Sequence, residues 1–265
     1  MKKREHQNLI IMHNIFVIAK NTFKLEIREK ILYAIIGFGI LYIFLMLFLS
    51  DLVLKELPMV KSFCLLGIYL FNAVVALFLG TTSFYKDVER KIVYFILAKP
   101  VSRAQFIIGK FLGLCFVLLF ASAILGAAYI GIILYLGGGF DVLGILAIAM
   151  QFLEMALFLA FAIFVTTFSS SLLSIIYTSV VFFAGHIVSS LLTASKAIGL
   201  EGMRLWIIQA LYYILPNLEK FNIRDMAIHQ VAAPFTSFFF ALCYALVYIV
   251  FLLSAAIFIF QKKEL

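Results

Sequence analysis

At 265 residues, 65% of them hydrophobic and 13% charged, with a mean hydropathy of +1.15, the chain is too apolar for a soluble globular domain. Its formal charge is +8, and fifteen of the 21 Lys and Arg fall in three stretches: before residue 31, between residues 86 and 110, and at the C-terminal end. Such clustering is a signature of membrane topology, which excludes a nucleic-acid surface as the reason for the basic excess.

The first predicted element, residues 9–30, is an amphipathic helix lying in the membrane interface. Met12, Phe16, Ala19, Phe23 and Ile27 recur at three- to four-residue spacing, and Lys20, Lys24 and Arg28 form a basic stripe suited to anionic headgroups. Six apolar segments follow, at residues 31–50, 62–82, 106–136, 142–168, 172–194 and 235–260. Each holds the ~20 residues that a hydrocarbon layer of about 30 Å demands. Backbone groups in lipid must bond within their own segment, so these are helices, and the alternation of an outer-membrane barrel strand is absent. The predicted fold class is all-α: one polytopic membrane domain over residues 1–265 with six transmembrane helices.

The three basic stretches lie on one side of this arrangement. The six remaining cations lie on the other, matched by six acids. This predicts cytoplasmic termini, which six spans allow. On the cytoplasmic side Ser169, Ser170 and Ser171 make an uncharged turn, predicted to pack against protein. On the outer side residues 195–234 form the one long loop. Its apolar run at residues 206–215 is too short to span, and Pro216 and Asn217 break it. Short interfacial or re-entrant helices anchored by Trp206, Tyr212 and Tyr213 are predicted there.

The turn over residues 86–104 is the most informative stretch. Val88, Ile92, Phe95 and Ile96 recur at helical spacing, with Asp87, Arg90, Lys91 and Tyr94 on the opposite face, which predicts a short amphipathic helix. Pro100 ends it by pushing Lys99 out of helical geometry. Ser102 and Gln105 then have the spacing of a capping box, and Val101 and Phe106 that of a hydrophobic staple, so the third span starts at a defined place. Gly109 and Gly113 follow at the small-xxx-small spacing that permits close approach of a neighbouring helix.

An acid, basic residues, an apolar stretch, then Pro100-Val101-Ser102-Arg103 and Gly109-Lys110-Phe111 resemble the type-2 ABC exporter permeases. The likeness is greatest to the branch containing the permease associated with nitrous-oxide-reductase maturation. It covers nearly the whole chain, although Ile92-Val93 stands where that family commonly has Gly-Thr. The resemblance implies a multi-pass subunit of a prokaryotic inner membrane whose turn at 86–104 is a cytoplasmic coupling helix. Asp87, Glu89, Arg90, Lys91, Pro100, Ser102 and Arg103 are then the ATPase-coupling residues, with Glu89, Arg90 and Lys91 docking and Pro100, Ser102 and Arg103 fixing the linkage. The implied partners are two copies of a cytoplasmic ATPase, which would bind ATP and magnesium, and a second permease, identical or similar. Lipids, drugs, peptides, polysaccharides and a sulfur species are all compatible substrates. A membrane scaffold without a transport path is the alternative.

The chain carries no engine of its own. Gly109-Lys110-Phe111 superficially resembles a phosphate-binding loop, but Phe111 replaces the magnesium-holding hydroxyl and Ala104 stands where the first glycine belongs. Neither G-x-S-x-G nor H-E-x-x-H occurs, so an intramembrane hydrolase is disfavoured, and no catalytic residues, cofactor or metal site are assigned. Cys64, Cys115 and Cys243 lie far apart within spans and are read as packing residues. Glu154 is the one charge near the middle of a span. It either lines a translocation path with Gln151 and His186 or makes a packing contact, with Asn72 or His186 as its partner.

Overall fold

The computed structural model describes residues 2–28, 31–52, 56–89, 101–200, 202–231 and 235–262. They form helices, with no β-strand among the described residues. Helix α1 (Lys2–Arg28) is followed by α2 (Ile31–Leu52) and α3 (Leu57–Phe78). A π-helical turn (Leu79–Ser83) joins α3 without a break to α4 (Phe84–Glu89). Then come α5 (Arg103–Tyr135), α6 (Val142–Thr166), α7 (Ser171–Ala197) and α8 (Met203–Ile214). A 3₁₀ turn (Leu218–Phe221), α9 (Arg224–Ile228) and α10 (Phe235–Lys262) complete the fold. Among the described residues six helical stretches are long and apolar enough to cross a membrane: Tyr33–Leu52, Leu57–Asp87, Arg103–Tyr135, Val142–Thr166, Ser171–Ala197 and Thr236–Lys262.

Helix α6 is the hub. Of its apolar window 72% is buried, against 28% for α2, α7 and α10, and it packs on α3, α5, α7 and α10. A helix that is apolar all round and central needs no polar stripe, whereas the outer spans keep apolar faces for lipid. One apolar cluster fills each half of the bundle. The first joins Ile35, Tyr42, Ile68, Tyr129 and Ile148, and the second Leu79, Phe84, Phe106, Leu159 and Phe260. The end of α1, the start of α5 and the end of α10 meet at one face of the bundle, here the terminal face. The α2–α3 and α5–α6 connections lie at the opposite, loop face.

Helix α1 docks on α5 rather than resting on lipid alone. Ala19, Thr22 and Glu26 are buried, whereas Met12 and Phe16 of the predicted apolar stripe are exposed. The segment over residues 195–234, predicted to lie on the outer side, also departs from a simple interfacial arrangement. No residue of α8 is buried, but Leu218, Phe221 and Ala227 are fully enclosed in the bundle core. The turn at Ser169–Ser171 is tight yet partly exposed, with Ser170 open to the surroundings.

Candidate functional site

The terminal face holds a joint at which α1, α4, α5 and α10 converge. Ser102 Oγ accepts from the Gln105 amide at 3.2 Å, and the Ser102 amide donates to Gln105 Oε1 at 3.0 Å, a reciprocal cap that fixes the first turn of α5. One residue on, Arg103 donates to the backbone carbonyls of Phe260 and Gln261 at 2.6 and 3.1 Å. A guanidinium on the last carbonyls of α10 satisfies groups the helix cannot bond itself and sits at the negative end of its dipole. Phe84, Phe106 and Phe260 pack together beneath, with ring centroids 5.8–6.3 Å apart.

Asp87 faces inward. Lys110 Nζ of α5 stands 2.6 Å from Asp87 Oδ2 and 3.9 Å from Glu26 Oε1 of α1, and Glu26 also accepts from Ser83 in the π-turn. The Lys110 side chain is only 4% exposed, so this is a buried pair whose members depend on one another. Glu89, by contrast, is exposed. Arg90, Lys91 and Pro100 lie outside the described residues, as does most of the predicted coupling helix. Gly109 and Gly113 make room for α1. A Cβ at Gly109 would stand 2.8 Å from Ile18 Cβ, and one at Gly113 would stand 2.6 Å from the Ala19 carbonyl oxygen and from Thr22 Cβ. The close helix neighbour of this stripe is therefore α1.

A second polar cluster lies deep in the bundle. Tyr69 of α3, Glu154 of α6 and His186 of α7 sit roughly 16–20 Å along their helices from the loop face, at about 1.5 Å per residue. The Tyr69 hydroxyl donates to Glu154 Oε1 at 2.9 Å and lies 2.5 Å from His186 Nε2, which in turn is 3.0 Å from Glu154 Oε1. Gln151 donates to the Leu65 carbonyl at 3.3 Å, and its own carbonyl oxygen has no hydrogen-bond partner among the described residues. Asn72, the other partner considered for Glu154, donates to Ser122 instead.

The connection between α8 and α10 reaches this depth. Glu219 Oε2 lies 3.6 Å from His186 Nδ1, and the Arg224 guanidinium sits 5.2 Å from the centre of the Tyr69 ring. Gly185 permits the entry, since a Cβ there would stand 2.7 Å from the Pro216 carbonyl oxygen and 3.0 Å from Leu218 Cγ. Tyr69, Gln151, Glu154, His186, Asn222 and Arg224 line a pocket with room for about one water molecule.

At the loop face Asp141 caps α6 through Gly144 at 3.1 Å and gathers Lys61 at 2.8 Å, Tyr129 at 2.6 Å and Gln230 at 3.1 Å. Burial raises its carboxyl, but the bonds from Lys61, Tyr129, Gln230 and Gly144 outweigh burial and hold it at about 2.

The structure places Gln151, Glu154 and His186, the residues considered in sequence for a path, around one pocket. Sequence reasoning missed Tyr69, Glu219 and Arg224 at the same cluster, Glu26 and Lys110 at the joint, and Asp141 at the loop face. The spacing of Leu218, Phe221 and Ala227 was a signal that the outer segment has a buried side. No curated protein matches the chain. Residues 6–265 match the family model described as "ABC-2 family transporter protein". A six-span helical chain with this match over nearly its whole length belongs to the ABC-2 transporter family.

Proposed function

We propose that the chain is the permease half of an ATP-driven exporter in a prokaryotic inner membrane, with both termini cytoplasmic. It pairs with a second permease and with two copies of a separate ATPase that bind ATP and magnesium. The observation that carries this reading is the joint, where the stretch leaving α4 returns into α5 between two fixed points. Asp87 is tied to Lys110 on one side, and Ser102 and Arg103 are capped and anchored on the other. A push on residues 90–100 is thereby delivered to α3, α5, α1 and α10 together.

In this mechanism Glu89, Arg90 and Lys91 meet the ATPase, while Asp87, Pro100, Ser102 and Arg103 set the linkage. Rigid transmission follows from the buried ion pair and the reciprocal cap, because a flexible joint would dissipate the displacement within the turn itself. The proposed path runs beside Gln151, Glu154 and His186, and the packing of Glu219 and Arg224 against this cluster supports a role for residues 195–234 in bounding it.

The test is co-expression with the ATPase subunit and purification of the complex. The double variant E89A/R90A should fold and insert normally, yet lose ATPase recovery or substrate-stimulated hydrolysis at least tenfold. Full recovery with unchanged turnover would remove the docking assignment. A chain that binds no ATPase in any form would favour the scaffold alternative.

A further inference from the structure

We propose that the outward side of α1 is a binding surface for anionic phospholipid headgroups, and that headgroups seated there tighten the joint through Glu26. The helix divides into three faces. Ile18, Ala19, Thr22 and Glu26 look toward α5 across Gly109 and Gly113. Met12 and Phe16 form an apolar strip, 70% and 62% exposed. Lys20, Lys24 and Arg28 are exposed and recur at four-residue spacing beyond it.

An apolar strip next to a row of cations is what a helix needs to lie at the boundary between acyl chains and negatively charged headgroups. Phospholipid is the occupant that satisfies both halves: the strip inserts and the cations pair with phosphate. A soluble acidic protein would satisfy the cations alone and leave the strip uncovered.

The inward side of the same helix carries the link. Glu26 lies across the helix axis from the basic row, accepts from Ser83 in the π-turn and pairs with Lys110, which holds Asp87. The approach at Gly113 is so close that an added Cβ would stand 2.6 Å from the Ala19 carbonyl oxygen and from Thr22 Cβ, which leaves α1 little room to tilt against α5. Headgroups that fix α1 therefore fix Glu26, and with it the spacing of α4 from α5. This rests on the proposed function only in treating that spacing as a coupling joint, and its test involves neither ATPase nor transport.

The experiment is hydrogen exchange on the purified full chain in nanodiscs of phosphatidylcholine alone or with a third of phosphatidylglycerol. Three cations at such a surface should slow exchange at least about fivefold over residues 11–28. Slowing should also extend to residues 79–89 and 101–113 in the anionic discs. The variant K20Q/K24Q/R28Q should lose both effects, whereas K20R/K24R/R28K should keep both. E26A should keep the effect in α1 and lose it at the joint. Raising salt to about 1 M, where the Debye length is near 3 Å, should abolish the difference in the wild-type chain even if the glutamine variant does not insert. Equal exchange in the two lipids, or a difference untouched by salt, overturns the surface and leaves the row to an acidic protein. A joint that still slows in E26A overturns the link.

Discussion

Substituting Asp141 by Asn should destabilise the fold in a way that pH reveals. The carboxylate spreads four contacts over both oxygens: Lys61 and Tyr129 on Oδ2, Gly144 and Gln230 on Oδ1. Every partner donates to it, so the NH₂ of an amide must face either Lys61 or the Gly144 amide, neither of which can accept, and lose that bond, and the Lys61 charge loses its counter-ion. Stripping one member from a buried ion pair costs about 3–5 kcal/mol. Proton linkage, which reads the same contacts, gives a smaller figure of the same order. The native carboxyl at about 2 stands below the reference 3.8, which at 1.36 kcal/mol per unit is about 2 kcal/mol. Because the folded value is the lower one, this stabilisation is complete above about pH 4 and is lost as pH falls toward 2. The assay is thermal unfolding of the full chain in detergent from pH 7 to pH 2. At pH 7, D141N should melt at least about 5 °C below wild type, given ~2–4 °C per kcal/mol. It should also lose most of the wild-type drop between pH 4 and 2, and K61M/D141N should recover part of the deficit. An unchanged melting temperature at pH 7, or an acid profile identical to wild type, would refute the reasoning.

Gly113→Leu should detach α1 from α5, since the added Cβ meets the Ala19 backbone, which cannot yield; protease cutting within residues 11–28 should rise sharply while the six spans remain intact. Gly185→Leu should expel the outer segment in the same way and raise solvent labelling of a cysteine placed at Glu219, a test of the re-entrant arrangement. Glu154→Leu removes the shared acceptor of Tyr69 and His186 and should cost about 1–3 kcal/mol. Glu154→Gln keeps an acceptor and should cost less than half of that in the same melting assay.

The spans, the cap on α5 and the close-packing glycines were legible because each is a local pattern. Twenty apolar residues, a serine three residues before a glutamine, and two glycines four apart have consequences within a turn or two of helix. The identity of a packing neighbour is not local. Gly109 and Gly113 announced a close contact without naming α1, and Met12 and Phe16 looked equivalent to Ala19 until α5 took one part of the face and left the other open. Asp87 showed the same limit: in sequence it is one more charge in a charged turn, yet Lys110, twenty-three residues away, turns it inward. Glu219 and Arg224 entered the sequence reading only as members of a charge balance, because Pro216 and Asn217 ended the apolar run before them. The fold uses Leu218 and Phe221 to carry them down to Tyr69 and His186.

The π-turn at Leu79–Ser83 adds phase to the second span. A π-turn holds one residue more than α-helical winding would, and each residue turns the helix about 100°. The turn from Phe84 to Glu89, Asp87 included, is therefore rotated by about that much relative to the helix that Tyr69 occupies. The direction in which Asp87 and Glu89 leave the second span is thus set inside the bundle, by the winding of five residues beside Ala162 and Glu26. Deleting one of those residues would leave a straight, intact helix that points Asp87 away from Lys110.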